Sequence, residues 1–319
     1  MEAAQGARGG EGGRRHHRGG GGRRDLPGHA RLRAQGARDP DRGRPAALAP
    51  GARREGAVNE PVRIAEGVHR CGTDLVNWYL VEEGGRVTIV DCGAPGYWPQ
   101  LDPSLEAIGR ARSDVDAVVL THGDSDHVGF SERLRSEAGV TVWAPEGDAK
   151  LVREGKVKKT EGSPLPYLRY PFAYRLLFHL VRNGGTKVPA VANLSTYDGG
   201  QTLEVPGNPV AVHTPGHTRG HCVLQFGDVL LAGDAICTLN PLTGRRGPQV
   251  MPKAFDTDSA EALASIDLLP EASVIGVGHG DPWTVGDRGR PRRSVDGGDR
   301  GREGPRPRGG AHLGRGVLP

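Results

Sequence analysis

Short apolar runs and helix-like segments alternate along residues 58–285. Residues 75–81 and 87–90 are apolar runs on either side of the sequence EEGG, which predicts a β-hairpin. Further runs rich in β-branched residues follow, among them VDAVVL, VTVWA, NPVAV, HCVLQF, DVLLAG and ASVIGVG. Between them, SLEAIGRAR (with Ser104 as its cap), HVGFSERLRSEAG, GDAKLVREG and DSAEALASIDLL have helical character. This alternation predicts an α/β domain built on buried sheets.

The two ends of the chain lack this pattern. Residues 1–57 contain no Val, Ile, Phe, Tyr or Trp, and residues 286–319 have a similar Arg-, Gly- and Pro-rich composition. Such segments bury too little apolar surface to offset backbone ordering, which costs about 1–2 kcal/mol per residue. We therefore expect disordered tails at 1–57 and 286–319 around one folded domain at 58–285. An early start site and a shifted reading frame are alternative origins of the two tails.

The charge of the chain is divided unevenly between these parts. The overall net charge is +4, and the tails at 1–57 and 286–319 carry +7 and +5, so residues 58–285 carry −8. An acidic domain disfavours nucleic-acid binding. No stretch of 18 uncharged apolar residues and no signal peptide is found, which predicts a cytoplasmic protein without membrane contact. The four scattered cysteines are expected to be free thiols.

Four of the strand-like runs end in a loop that carries His or Asp, usually beside Gly. Strand ends that meet at one edge of a sheet can direct distant side chains into one cleft. Several imidazoles together with carboxylates suit zinc, iron or manganese. Seven candidates exceed the needs of one tetrahedral zinc and would serve two divalent ions about 3.5–4 Å apart. The candidate ligands are His122, Asp124, Asp126, His127, His217, Asp234 and His279.

The motifs THGDSDHVG, HTPGHTRGH, LLAGDA and GHGDPW resemble the successive metal motifs of the metallo-β-lactamase-fold hydrolase superfamily. The resemblance covers residues 62–285 and implies a four-layer αββα sandwich with the metals at one edge of its two sheets. It implies His122 and His217 as ligands of a first metal, with Asp234 bridging to a second. Asp126, His127 and His279 would hold that second metal. Asp91, in IVDCG, would orient a ligand, although it can also be a turn residue that closes a strand.

The resemblance departs from the family at Asp124, where the superfamily usually has His. A carboxylate adds negative charge to the first position, so a bound water would be less acidified and harder ions would be favoured. The diiron branch of the fold carries Glu there, but that branch is fused to a flavodoxin-like domain for which this chain has no room. Zinc, iron and manganese all stay open as the native metal.

The mechanism implied is hydrolysis by a metal-bound hydroxide, with Asp126 orienting the nucleophile or taking its proton. The expected substrate is a small molecule with an ester, thioester, lactone or amide bond. Two alternatives stay open: a metal redox enzyme of the diiron or persulfide-oxidising type, and a degenerate site that only binds a ligand. A nuclease is disfavoured by the acidic domain.

Five aromatic residues lie within twelve positions: Tyr167, Tyr170, Phe172, Tyr174 and Phe178. They predict a cap over the cleft with an apolar wall, which would favour a partly apolar substrate. The alternatives are an ordinary helix packed on the sandwich or a contact in a homodimer. Arg245 and Arg246 would clamp an anionic group or lie in a solvated loop. We expect His213 to be a strand residue and His221 to be structural or to face the substrate.

Overall fold

The computed structural model describes residues 60–286 and 290–291. The predicted disordered tails therefore lie almost wholly outside the described residues, and the domain boundaries at 57 and 286 stay predictions. No helix within the described part of the chain is long and apolar enough to cross a membrane.

The first sheet has seven strands that follow one another in chain order. Its first four strands pair antiparallel and its last four pair parallel. The predicted hairpin is present, with Gly84 and Gly85 at φ values of 58° and 80°, as a two-residue turn with left-handed backbone requires. The strands are β1 (Val62–Ala65), β2 (Val68–Gly72), β3 (Asn77–Glu83), β4 (Arg86–Val90), β5 (Val115–Val119), β6 (Thr141–Pro145) and β7 (Leu194–Tyr197).

The second sheet has six strands in the order β15-β14-β13-β10-β9-β8, and β11 and β12 form a separate ribbon. The pairing of β10 with β13 is parallel, and the neighbouring pairs are antiparallel. These strands are β8 (Val210–His213), β9 (Cys222–Phe226), β10 (Val229–Leu231), β11 (Cys237–Leu239), β12 (Arg246–Gln249), β13 (Val274–Gly276), β14 (Trp283–Gly286) and β15 (Arg290–Pro291).

Six α-helices connect and cover the sheets within the described residues. They are α1 (Leu101–Ala107), α2 (Ser125–Val128), α3 (Ser131–Ala138), α4 (Glu146–Glu154), α5 (Pro171–Arg182) and α6 (Ser259–Ser265). Short 3-10 helices lie at Pro95–Gln100, Arg112–Asp114, Leu165–Arg169 and Ile266–Leu268. The predicted cap of α6 is present, because the Asp258 carboxylate accepts from the backbone N–H groups of Ala260 and Glu261.

Three apolar cores define the layers of the domain. Alternate residues of β3 point to opposite faces: Leu80 packs under the helices, and Tyr79 packs between the sheets. The core between the sheets also contains Leu224 of β9 and Leu231 of β10. A third core lies on the outer face of the second sheet, where Ile266 packs against it. The order is helices, sheet, sheet, helices, so the predicted αββα sandwich is confirmed.

Two predicted helices begin or break elsewhere than expected. The prediction of Ser104 as a helix cap is wrong: α1 already begins at Leu101, and Ser104 is buried inside it. Leu101 packs in the core, and Pro103 is tolerated because it lies in the first turn. The segment HVGFSERLRSEAG divides into α2 and α3 at Gly129, which has φ 32° and lies against the backbone carbonyls of Cys92 and Gly93.

Candidate metal centre

Four loops bring the seven predicted residues into one group at the ends of the strands. His122 to His127 follow β5, His217 follows β8, Asp234 follows β10 and His279 follows β13. Their ligand atoms form three overlapping groups, each within 4.8 Å: His122, Asp124 and His217; His122, His127 and Asp234; Asp126, His127 and His279. Below, the first group means His122, Asp124 and His217, and the second group means Asp126, His127 and His279. The predicted convergence of distant loops is therefore present.

Each of the four ligand histidines has its Nδ1 atom engaged away from the centre. His127 Nδ1 donates to Asp91 Oδ2 at 2.8 Å, and His217 Nδ1 donates to Asp256 Oδ1 at 2.9 Å. His279 Nδ1 donates to the carbonyl of Leu75. Thr121 Oγ1 gives its hydrogen to Asp91 and so accepts from His122 Nδ1 at 3.0 Å. Because Nδ1 is engaged in each ring, the neutral form of each imidazole has its Nε2 lone pair free to bind a ligand at the centre.

Among the seven predicted ligands, three buried atoms have no hydrogen-bond partner within the described residues: His122 Nε2, His127 Nε2 and Asp234 Oδ1. His127 Nε2 and Asp234 Oδ1 lie 3.4 Å apart without forming a hydrogen bond. Buried polar atoms are nearly always paired, so three bare acceptors facing one another call for a cation. Imidazole nitrogen and carboxylate oxygen are the donors that zinc and similar divalent ions prefer. The residues therefore fit a divalent metal ion.

The charges of the centre are strongly coupled. Burial raises the pKa of Asp234, but the imidazoles of His279 and His127 outweigh it and hold the pKa well below its usual range. Burial lowers the pKa of His127, while the carboxylates of Asp234 and Asp91 raise it well above its ordinary value. The pKa of His122 is lowered by burial and by the neighbouring His127. A centre of this kind keeps its carboxylates ionised.

Asp91 contacts the loop of residues 121–127, called the metal loop below, as the resemblance implied. Its φ is 57°, a conformation that non-glycine residues rarely adopt, and it directs the carboxylate under the loop. There it accepts from the backbone N–H of Thr121 at 2.8 Å, from the Thr121 hydroxyl and from the ring of His127. One strained residue thus fixes the orientation of both His122, through Thr121, and His127.

Three buried or half-buried groups of the centre were missed by the sequence reasoning. Asp256 fixes the ring of His217, and Asp148 on α4 accepts from the N–H groups of Gly123 and Gly220 at 2.9 and 2.8 Å. The third is Lys158, in the loop after α4, whose side chain is only 6% exposed. No local spacing marks these residues, because tertiary contact alone joins them to the loops.

Lys158 lies inside the first group. Its Nζ atom is 2.6 Å from Asp124 Oδ2 and 2.8 Å from His217 Nε2, and these two acceptors are 3.1 Å from each other. Burial would raise the pKa of Asp124, but the Lys158 ammonium and the rings of His122 and His217 hold it well below its usual range. Asp124, which departs from the family pattern, is therefore the ion-pair partner of the buried Lys158.

The remaining predicted residues have these positions. The carboxylate of Asp126 is part-buried, with Oδ2 3.8 Å from His279 Nε2. His213 is an exposed strand residue, as predicted. His221 is buried, and its Nε2 accepts from the backbone N–H of Asp234 at 3.1 Å while its Nδ1 contacts Thr214. It therefore positions Asp234 rather than facing the substrate. Arg246 is exposed on β12 and lies near Asp74 and Asp281.

The aromatic segment contains α5, which begins at Pro171 as predicted. Ala173 and Leu176 pack against Leu242 and Ala254 beside the ribbon. The chain just after α5 contacts the metal loop, because the Ser125 hydroxyl donates to the carbonyl of Gly185. Tyr174 and Phe178 are 55% and 63% exposed, so the opposite face of α5 is apolar and open to solvent. The contact with the metal loop is consistent with a cap, which stays a prediction.

Comparisons with known proteins match this fold. The sequence model described as Metallo-beta-lactamase superfamily matches residues 71–279. The probable metallo-hydrolase YflN of Bacillus subtilis (strain 168) is 26% identical over 251 residues, which cover 69% of this chain and 86% of the relative. A hydroxyacylglutathione hydrolase of Xanthomonas campestris pv. campestris (strain B100) is 27% identical over 204 residues, 63% of this chain and 59% of the relative.

Among solved structures, the metallo-beta-lactamase SMB-1, in a complex with mercaptoacetic acid, superposes with a TM-score of 0.53. The superposition covers 72% of this chain and 82% of that chain at 19% sequence identity. At this identity the likeness concerns the fold alone.

Proposed function

The chain belongs to the metallo-beta-lactamase superfamily and is a hydrolase of that fold; from this premise we propose that it hydrolyses an ester, thioester, lactone or amide bond of a small, partly apolar molecule. The proposed metal ligands are the seven predicted side chains: His122, Asp124, Asp126, His127, His217, Asp234 and His279. The observation that carries the proposal is the set of three bare, buried acceptor atoms at the centre.

A divalent ion, when bound there, acidifies water and polarises the substrate oxygen. The protein's own groups supply the rest. Asp126 is the catalytic residue in this proposal: it orients the attacking water and accepts its proton, because its carboxylate is the one carboxylate of the second group and is partly open to solvent. His221, Asp91 and Asp256 hold their partners in fixed orientations, which keeps the ligand atoms aimed at the centre.

The substrate class is supported by the segment around α5 and by the relatives. Apolar side chains of α5 are exposed, and the chain just after this helix contacts the metal loop through Gly185, which suits a substrate with an apolar part. The hydroxyacylglutathione hydrolase among the relatives bears the name of a thioesterase, so thioesters are the first substrates to test. Zinc is the first metal to test, with iron and manganese as the alternatives. A cytoplasmic location and a homodimer stay predictions.

The test is a panel of chromogenic thioester, ester, lactone and amide substrates, run with metal-loaded and chelated protein. We expect turnover that disappears on chelation and returns with zinc. Asp126→Asn should lower kcat about 100-fold or more. His213→Ala, on an exposed strand position, is the control and should leave the rate unchanged.

Two outcomes would contradict the proposal and favour an alternative. A metal-loaded protein that is inactive on the whole panel but consumes oxygen with a sulfur or flavin donor would be a redox enzyme. A folded protein that binds no metal under any loading condition would be a ligand-binding protein with a degenerate centre.

A further inference from the structure

The first group of the centre already contains a cation that belongs to the chain. Lys158 is the only lysine or arginine among the described residues whose charged group touches two of the seven predicted ligands. Its Nζ atom is within 2.8 Å of both Asp124 Oδ2 and His217 Nε2. Its side chain is 6% exposed, so the ammonium is buried within the centre and does not lie at the surface.

Lys158 and a metal ion in the first group would compete for the same lone pair. In the neutral ring of His217, Nδ1 donates to Asp256 and Nε2 carries a single lone pair, to which Lys158 donates. A metal ion at this position would need the same lone pair, at about 2.0–2.1 Å. The ammonium and a metal ion cannot share it, and the ion would also have to displace the charged hydrogen bond to Asp124.

The second group has no such occupant. Among the described residues, no lysine or arginine contacts Asp126, His127, His279 or Asp234. The bare atoms of His127 and Asp234 lie on this side of the centre, whereas the bare Nε2 of His122 is 3.6 Å from Asp124 Oδ2 and belongs to both sides. Two of the three atoms that need a cation are thus separate from the atoms that already have one.

We propose that Lys158 permanently fills the first metal position, so that the chain binds one divalent ion, at the second group with Asp234. This inference rests on the proposed function and replaces the expected pair of ions by one ion and one ammonium. It also explains Asp124: a carboxylate pairs with an ammonium, whereas the His usual in the family would face it as a poor partner.

An ammonium in place of a metal ion changes the chemistry that the first position can support. An ammonium offers a fixed positive charge and three hydrogen-bond donors; Asp124 and His217 take two of them, and the third can hold an oxygen that becomes negative during hydrolysis. It binds no water as a ligand, so the attacking water is prepared at the second group alone. Lys158 would then be a substrate-facing residue of the hydrolase as well as the occupant of the first position.

The test is the number of zinc ions bound per chain, measured by elemental analysis after zinc loading and desalting. We expect one equivalent for the wild-type protein and two for Lys158→Met, which frees Asp124 and His217. Lys159→Met is the matched control, since this neighbouring lysine is exposed, and it should bind one equivalent. Cobalt titration followed by visible absorption should saturate at the same ratios.

The outcomes separate this inference from the proposed function. Two equivalents in the wild-type protein, or one in a folded Lys158→Met, would overturn the assignment of Lys158 and leave the hydrolase proposal standing. No zinc in a folded wild-type protein would overturn both. Circular dichroism checks folding, and Lys158→Gln replaces Lys158→Met if that variant does not fold; it too should bind two equivalents.

Discussion

At the scale of single residues, the sequence indicated the candidate ligands, which the fold brings together, and missed the groups that support them. The ligands follow strands in Gly-containing loops, so local pattern reveals them. Asp256 and Lys158 contact His217 from 39 and 59 positions away, and nothing in their own neighbourhoods indicates that contact. Such groups become visible only when the fold has placed them, because burial and pairing are tertiary properties.

Gly278 shows how tightly the centre is packed. A Cβ atom at this position would lie 2.1 Å from Asp234 Oδ1 and 2.7 Å from His127 Cε1. We expect Gly278→Ala to displace both ligands and to weaken zinc binding by about 10- to 100-fold, the range found when ligand orientation is disturbed. Competition with a chromophoric chelator would measure the affinity.

The control for this substitution is Gly109→Ala. Its added Cβ would meet no atom within 4 Å, although φ is 72°. This variant should lose about 1 kcal/mol of stability through backbone strain and keep its zinc affinity. Equal zinc affinity in Gly278→Ala and wild-type protein would contradict the packing argument.

At the scale of elements, hydrophobic spacing predicted the strands and most helices, and it failed where packing sets the boundary. The start of α1 was placed too late because the spacing does not show that Leu101 reaches the core. The break between α2 and α3 was missed because it depends on the close approach of Gly129 to Gly93, a contact between distant segments. Local helix propensity predicts neither the start of α1 nor the break between α2 and α3.

The helix α5 provides a matched pair of leucines. Leu176 is 4% exposed and packs against Leu242 and Ala254, whereas the adjacent Leu177 is 51% exposed. Leu176→Ala should lower the free energy of unfolding by about 2–3 kcal/mol because it leaves a cavity. Leu177→Ala should change it by less than about 0.5 kcal/mol. Urea unfolding followed by fluorescence measures both, and equal losses would show that α5 is not anchored through Leu176.

At the scale of the whole molecule, the predicted class, layers and free thiols are confirmed, and the tails fall outside the described residues. All four cysteines are free and buried. Sequence reasoning could reach this level because composition and strand order constrain the architecture. It could not reach the single metal ion proposed above, since that proposal depends on one lysine in a loop.

The buried thiols predict a loss of stability at high pH. Burial raises the pKa of Cys71 and that of Cys222 from 9.0 to about 12. Between these values the unfolded chain releases protons that the folded chain retains, so the free energy of unfolding falls as the pH rises. Urea unfolding from pH 9 upward measures the slope. The double variant Cys71→Ala, Cys222→Ala should have a shallower slope, and an unchanged slope would contradict this assignment.

The carboxylate of Asp148 has a mechanical consequence for the centre. Its two oxygens accept from Gly123 and Gly220, which lie in loops that extend from different sheets. The spacing between these loops is therefore set by the width of one carboxylate at the start of α4. Any sliding of one sheet across the other must break one of these two bonds, so the distance between His122 and His217 is protected from motions elsewhere in the sandwich.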